Sequence, residues 1–236
     1  MDFCSRAVSF CLIVALAECP FLPVQAQTSK DAPSPDDSLR IYAVNFVKTR
    51  YFFRRWTGVG IYLGHGAVIT AAHVVGRWPS LTNPRVLIAG QEIPVTVIRK
   101  GFVQRTDLAL LSFDESRLPV SLRLRLNPVC KEPPRVGAEV VVAAPEGTVR
   151  SRIISPRLIV PEYRTRYATI IRNVPQASSG SGVFRASTRC LLGIISRKIQ
   201  IQGRRSQNQH ITRDEFAKYF VPAATIAKFL PPEFRF

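Results

Sequence analysis

The chain has 236 residues, 46% of them apolar and 9% aromatic, and its 33 Lys and Arg outnumber 16 Asp and Glu for a net charge of +17. That apolar content is enough for a packed core, which excludes wholesale disorder, and no uncharged apolar run of about 18 residues exists to make a polytopic membrane protein. What remains is a basic globular protein whose charge needs a setting.

The chain opens with Arg6, an apolar run over residues 7–17 (AVSFCLIVALA), two prolines at 20 and 23, and the small-x-small pattern Val24-Gln25-Ala26. This is the pattern of a secretory signal peptide over residues 1–26; a buried amino-terminal helix would be interrupted by both prolines. Its removal takes away Arg6, Asp2 and Glu18, so the net charge rises to +18, and the expected location is secreted or periplasmic with no transmembrane segment left. Cys4, Cys11 and Cys19 leave with it. Cys130 and Cys190 remain, able either to pair as one disulfide or to stay two small buried residues.

Residues 27–40 (QTSKDAPSPDDSLR) lack an apolar period and read as a flexible linker. From Ile41, short β-branched and aromatic runs alternate with turn residues: IYAVNFV, GVGIYL, AVIT, RVLIAG, PVTVIRK and LALLSF, then AEVVVAA, RIISPRLIV, ATIIRNV, GVF and LLGIISRKI. Runs so spaced predict an all-β sandwich or barrel, and the polar stretch from Asp114 to Pro134 divides it into two halves. One helical turn is expected within Thr70–Val75 and a terminal helix over 222–230, with Pro222 at its start.

Three histidines can each be weighed. His65 lies in a glycine-flanked turn and His210 in a polar stretch, so both read as solvated. His73 follows AVIT and two alanines at a strand end, where either a core histidine or a functional one fits. Asp107 stands directly before the apolar run Leu108-Ala109-Leu110-Leu111, and a carboxylate at such a rim needs a partner or a turn to accommodate it. In Gln176-Ala177-Ser178-Ser179-Gly180-Ser181-Gly182-Val183-Phe184, small residues crowd around serines, which suits either a plain loop or a nucleophile with backbone N–H groups free to face an oxyanion.

The order His, Asp, Ser is that of the chymotrypsin-type triad. Ala67-Val68-Ile69-Thr70-Ala71-Ala72-His73 resembles the "TAAH" block of trypsin-like serine peptidases, and Thr106-Asp107-Leu108-Ala109-Leu110-Leu111 resembles their "DLALL" block. Ser179-Gly180-Ser181-Gly182-Val183-Phe184 resembles the end of their nucleophile motif, and Leu192-Gly193-Ile194-Ile195-Ser196 the strand that follows. The compact spacing resembles the bacterial Deg/HtrA-like and glutamyl-endopeptidase-like branches, with no PDZ domain expected after Leu230. The resemblance implies two six-stranded antiparallel β-barrels, one over about 41–115 and one over about 132–203, within a peptidase domain spanning 41–236.

It further implies acyl transfer by His73, Asp107 and Ser179, with Ser181 as the other serine to consider. The backbone N–H groups of Ala177 and Ser179 would form the oxyanion hole, and Ser196 would bond Asp107. Asn173, Ser196, Arg197 and Lys198 would contact substrate. With no acid at the pocket base, small, apolar or acidic side chains are expected there. The family usually has Gly at the position of Ala177; a positive φ would cost alanine roughly 1–2 kcal/mol. Gly182 replaces a common Pro and should loosen the loop.

No metal or other cofactor is expected, since neither HExxH nor paired CxxC occurs. The partner is a protein or peptide substrate, with an anionic surface as the setting. The alternative is a cationic binding protein for anionic envelope components or nucleic acid, suggested by the arginine-rich second half and the stretch 48–56 (KTRYFFRRW), which also reads as a solvated strand face.

Overall fold

Runs such as Leu108–Leu111 and Val140–Ala144 have no polar alternation because both faces of their strands are covered. The computed structural model describes residues 34–50, 53–77, 83–159, 161, 170–172, 178–200 and 216–235. It places seven strands in a first antiparallel sheet: β1 (Ala43–Arg50), β2 (Phe53–Gly64), β3 (Ala67–Thr70), β4 (Arg85–Ile88), β5 (Gln91–Pro94), β6 (Thr96–Lys100) and β7 (Ala109–Ser112). Six more close a second barrel: β8 (Glu139–Ala144), β9 (Gly147–Ile154), β10 (Ile170–Arg172), β11 (Gly182–Arg185), β12 (Leu191–Gln200) and β13 (Phe216–Pro222). Short helices α1 (Ala72–Val75), α2 (Val120–Arg123) and α3 (Ala223–Phe229) complete the fold.

The first sheet is ordered β5-β4-β1-β2-β3-β7-β6, so the expected pair of curled antiparallel β-halves is present, with seven strands in place of six in the first. Yet β5 and β6 sit at opposite ends of that order with Val95 alone between them in sequence. A link one residue long demands that the seven-stranded sheet curl until its edges meet.

Alternation along each strand now explains the apolar runs. Val44, Phe46, Tyr62, Val68, Val86 and Leu111 fill the first half, while Val140, Val142, Val183, Leu192, Ile195 and Phe220 fill the second. Their neighbours in sequence, Ile61, Leu63, Leu110, Val141, Ala143, Phe184 and Ile194, form a third cluster between the halves. Continuous burial thus comes from one face turned inward and one turned to the other half.

Two expectations change. The lead-in, read as flexible through Arg40, becomes a 3-10 helix from Pro35 to Tyr42, with Ser34 as its cap and Asp36 and Leu39 buried. Asp36 lies 2.6 Å from Arg150 Nε and 3.9 Å from Arg189 Nη2, Thr148 Oγ1 donates to Asp37 at 2.7 Å, and Arg40 Nε donates to the Pro145 carbonyl. Polar residues without a period can order when their charges meet complementary ones, which composition does not reveal. Gly182, expected to loosen its loop, is instead buried in β11: an added Cβ would fall 2.8 Å from Ile61 side-chain atoms, so a larger residue would have to displace the packing between the halves. The proposed signal segment lies outside the described residues. Among the described ones no helix is long and apolar enough to cross a membrane.

Candidate active site

α1 is a single turn that follows β3 immediately, and Gly76 ends it at φ 83°. Ala71, Ala72, Val74 and Val75 are buried, which anchors the turn and leaves His73 at its surface with 35% of its side chain exposed. Asp107 ends the β6–β7 connection. Its φ is 44°, a left-handed conformation that Asp tolerates better than most residues, and its N–H bonds the Phe102 carbonyl at 3.0 Å. That turn delivers the carboxylate inward, where the residue is 0% exposed.

A buried carboxylate must be satisfied, and this one takes three donors. The His73 backbone N–H reaches Oδ1 at 3.1 Å, and His73 Nδ1 lies 2.9 Å from Oδ2 and 3.1 Å from Oδ1. Ser196 Oγ donates to Oδ2. A carboxylate only accepts, so Nδ1 carries the proton, which leaves Nε2 of the neutral ring unprotonated and able to take one.

Ser179 is held from both halves. Its carbonyl accepts from Val59 N–H of β2 at 3.0 Å, while the next N–H, of Gly180, donates to Ile195 of β12 at 2.8 Å. Gly180 has φ 95°, and a Cβ there would fall 1.6 Å from the Val59 carbonyl oxygen, so only glycine fits. Ser179 Oγ donates to the Ser196 carbonyl at 3.1 Å. Attack would need that hydroxyl to turn about χ1 towards His73. Ser181 is 0% exposed, in the core just before β11, and its Oγ has no partner among the described residues.

Together His73, Ser178 and Ser179 line a cleft of about 310 Å³ with Asn45, Gly58, Val59 and Glu146. Of the other expected contacts, Ser196 joins Asp107, but the Arg197 guanidinium donates to the Val103 carbonyl at 3.1 Å instead of entering the cleft. Lys198 stands directly across from Lys218 of β13, whose amine is held below the usual lysine range by burial first and by the Lys198 charge second. Asn173 and Ala177 lie outside the described residues. Cys130 and Cys190 are joined by a disulfide, with Cα atoms 5.1 Å apart. Sequence reasoning missed Glu146 and Lys218. Pro145-Glu146 carries a turn residue, but nothing in it indicates which end of the seam it faces.

The architecture is that of chymotrypsin-like serine peptidases. The Rv3671c protease from M. tuberculosis in its active form is 19% identical, with a TM-score of 0.58 over 93% of each chain. Kallikrein-related peptidase 10 in complex with Zn2+ is 17% identical, with a TM-score of 0.58 over 80% of this chain and 92% of its own. Neuropsin, a serine protease of mouse brain, is 14% identical, with a TM-score of 0.57 over 81% and 93% respectively. No curated protein sequence matches. The model of the trypsin-like peptidase domain family matches residues 58–194, and the chain belongs to that family.

Proposed function

We propose that the chain is an exported serine endopeptidase, acting in the periplasm or outside the cell, of a bacterial Deg/HtrA-like or glutamyl-endopeptidase-like kind. The observation that carries the chemistry is the buried Asp107 carboxylate bonded to His73 at the edge of a cleft shared with Ser179. Ser179 Oγ turns from the Ser196 carbonyl to His73 Nε2, attacks the substrate carbonyl and gives its proton to His73. The C–N bond then breaks as His73 returns that proton to the leaving amine. Water, activated by His73, releases the acyl group. Asp107 fixes the ring's tautomer and stabilises the imidazolium, and Ser196 orients Asp107. The N–H groups of Ser179 and Ala177 would receive the oxyanion.

Burial of Ser181 supports Ser179 as the nucleophile. On the acyl side, the facing lysines 198 and 218 favour an acidic side chain over a basic one, within the wider expectation of small, apolar or acidic groups. Profiling a mixed peptide library tests this, and dominant cleavage after Lys or Arg overturns it.

A fluorophosphonate probe tests the chemistry. Labelling is expected in the native chain and in Ser181→Ala and is lost in Ser179→Ala. Absence of labelling in folded native protein favours the second reading, a cationic binding protein. The observation on that side is the resting hydrogen bond of Ser179 Oγ to Ser196, which leaves the hydroxyl turned away from His73.

A further inference from the structure

The chain is strongly basic, and its carboxylates are scarce and mostly engaged. Asp36 pairs with Arg150, Glu92 with Arg85, Glu132 with Arg185, Glu139 with Arg152, and Asp107 with His73. Glu146 is exposed and in no ion pair among the described residues, as are Asp37, Asp114 and Glu233; what sets it apart is where it stands. It lines the cleft that holds His73 and Ser179.

Its position in the fold says which side of the scissile bond it faces. The cleft is lined by β1 (Asn45), β2 (Gly58, Val59), the nucleophile loop and the β8–β9 turn, and among the described residues by none of β12. By the functional reading above, β12 carries the acyl side of the substrate, at Lys198. The lining around Glu146 therefore belongs to the opposite side, where His73 hands its proton to the departing amine.

The turn that presents Glu146 is fixed. Pro145 and Glu146 form a two-residue hairpin link between Ala144 and Gly147, which are register partners in β8 and β9. Proline presets the backbone at the first turn position. The flanking bonds from Arg40 to the Pro145 carbonyl and from Thr148 to Asp37 tie both sides of the turn to the amino-terminal 3-10 helix. A carboxylate on so restrained a turn costs little entropy when it meets a ligand.

We propose that Glu146 determines specificity on the leaving-group side, selecting a Lys or Arg side chain within the first residues beyond the scissile bond. The inference rests on the peptidase reading. It gives the enzyme opposite charge preferences on the two sides of the cut: acid accepted by Lys198 and Lys218 before it, base accepted by Glu146 after it.

The acyl-enzyme isolates the second preference. Acylation by acetyl-alanine p-nitrophenyl ester, followed by competition between water and arginine amide, alanine amide or glutamic acid amide, fills only the leaving-group side; the acyl group is the same throughout. Arginine amide is expected to capture the acyl group roughly two- to fivefold better than alanine amide, the ratio for an exposed ion pair, with glutamic acid amide poorest. The advantage disappears in Glu146→Gln, reverses in Glu146→Lys and shrinks in 0.5 M salt, a concentration well above about 0.1 M, where screening already acts over about 10 Å. Equal capture by the native enzyme, or an unchanged advantage in Glu146→Gln, overturns the assignment while the peptidase stands. No fluorophosphonate labelling and no ester turnover in the native chain defeat the peptidase reading and the assignment with it.

Discussion

Gly180→Ala tests how tightly the nucleophile loop is wedged between the two halves. With φ at 95°, an alanine there pays about 1–2 kcal/mol of backbone strain before any contact is considered. Its Cβ would then stand 1.6 Å from the Val59 carbonyl oxygen and 2.6 Å from Thr70 Oγ1. Neither neighbour can swing aside, because that carbonyl is a backbone atom which itself accepts from Thr70 Oγ1 at 2.6 Å. The loop must withdraw by an ångström or more, on the order of the gap to an ordinary contact, and it then gives up the bonds from Val59 N–H to Ser179 and from Gly180 N–H to Ile195. Each is worth about 1 kcal/mol, so the total loss is about 3–4 kcal/mol. Urea unfolding followed by tryptophan fluorescence should show the midpoint falling at unchanged slope. Fluorophosphonate labelling should fall with it. A loss below about 1 kcal/mol with native labelling would refute the packing argument and the role given to the loop.

Ser196→Ala deprives Asp107 of one of three donors, and kcat/KM should fall by roughly tenfold or more, the equivalent of about 1.5–3 kcal/mol for a bond to a buried charge; an unchanged value would show that the two His73 bonds suffice. Asp36→Ala should lower stability by about 1 kcal/mol, less than a buried pair would, because Arg150 is largely exposed; limited trypsin digestion should then cut faster at Arg40, and protection equal to native would argue against docking of the 3-10 helix. Reducing the Cys130–Cys190 bond, which closes a separation of 60 residues, should cost about 4 kcal/mol by loop entropy, read as a drop in Tm of the native chain that Cys130→Ser/Cys190→Ser reproduces. Lys48 is held below the usual lysine range by burial first and by the Lys100 charge second. The unfolded chain therefore binds more protons between the lowered value and 10.5, so stability should rise with pH across that window; Lys48→Met should be more stable than native at pH 7, with the difference narrowing towards pH 10.5.

Much of this was legible because the site's chemistry is carried by small, local words. Thr70-Ala71-Ala72-His73 places a histidine on one turn directly after a strand, and Asp107 before Leu108–Leu111 places a carboxylate at the rim of a core strand; neither depends on distant partners. What failed were features set by distance. Gln91–Pro94 is a strand paired with β4 and Phe216–Pro222 one paired with β10 and β12, but the first alternates too weakly to be seen and the second runs directly into the terminal helix. β9 begins at Gly147, earlier than its apolar residues suggest, since Val149 is the only apolar side chain it carries before Ile153. The docking of Asp36 depends on Arg150 and Arg189, over 110 residues away, and the facing of Lys198 and Lys218 on a register shift between Ile195 and Arg197. Charge complementarity across such separations leaves no trace in a local pattern.

The carbonyl of Ser179, bonded to Val59, makes the proposed nucleophile a rung between two halves that are synthesised one after the other. During translation His73 and Asp107 emerge first, on a half that contains nothing to attack with. The serine follows more than 70 residues later and has no defined place until Val59 and Ile195 are both there to receive its loop. On the proposed peptidase reading, cutting power and complete assembly thus arrive in the same step, and a half-made or half-unfolded molecule would be harmless to its neighbours without any inhibitor to restrain it.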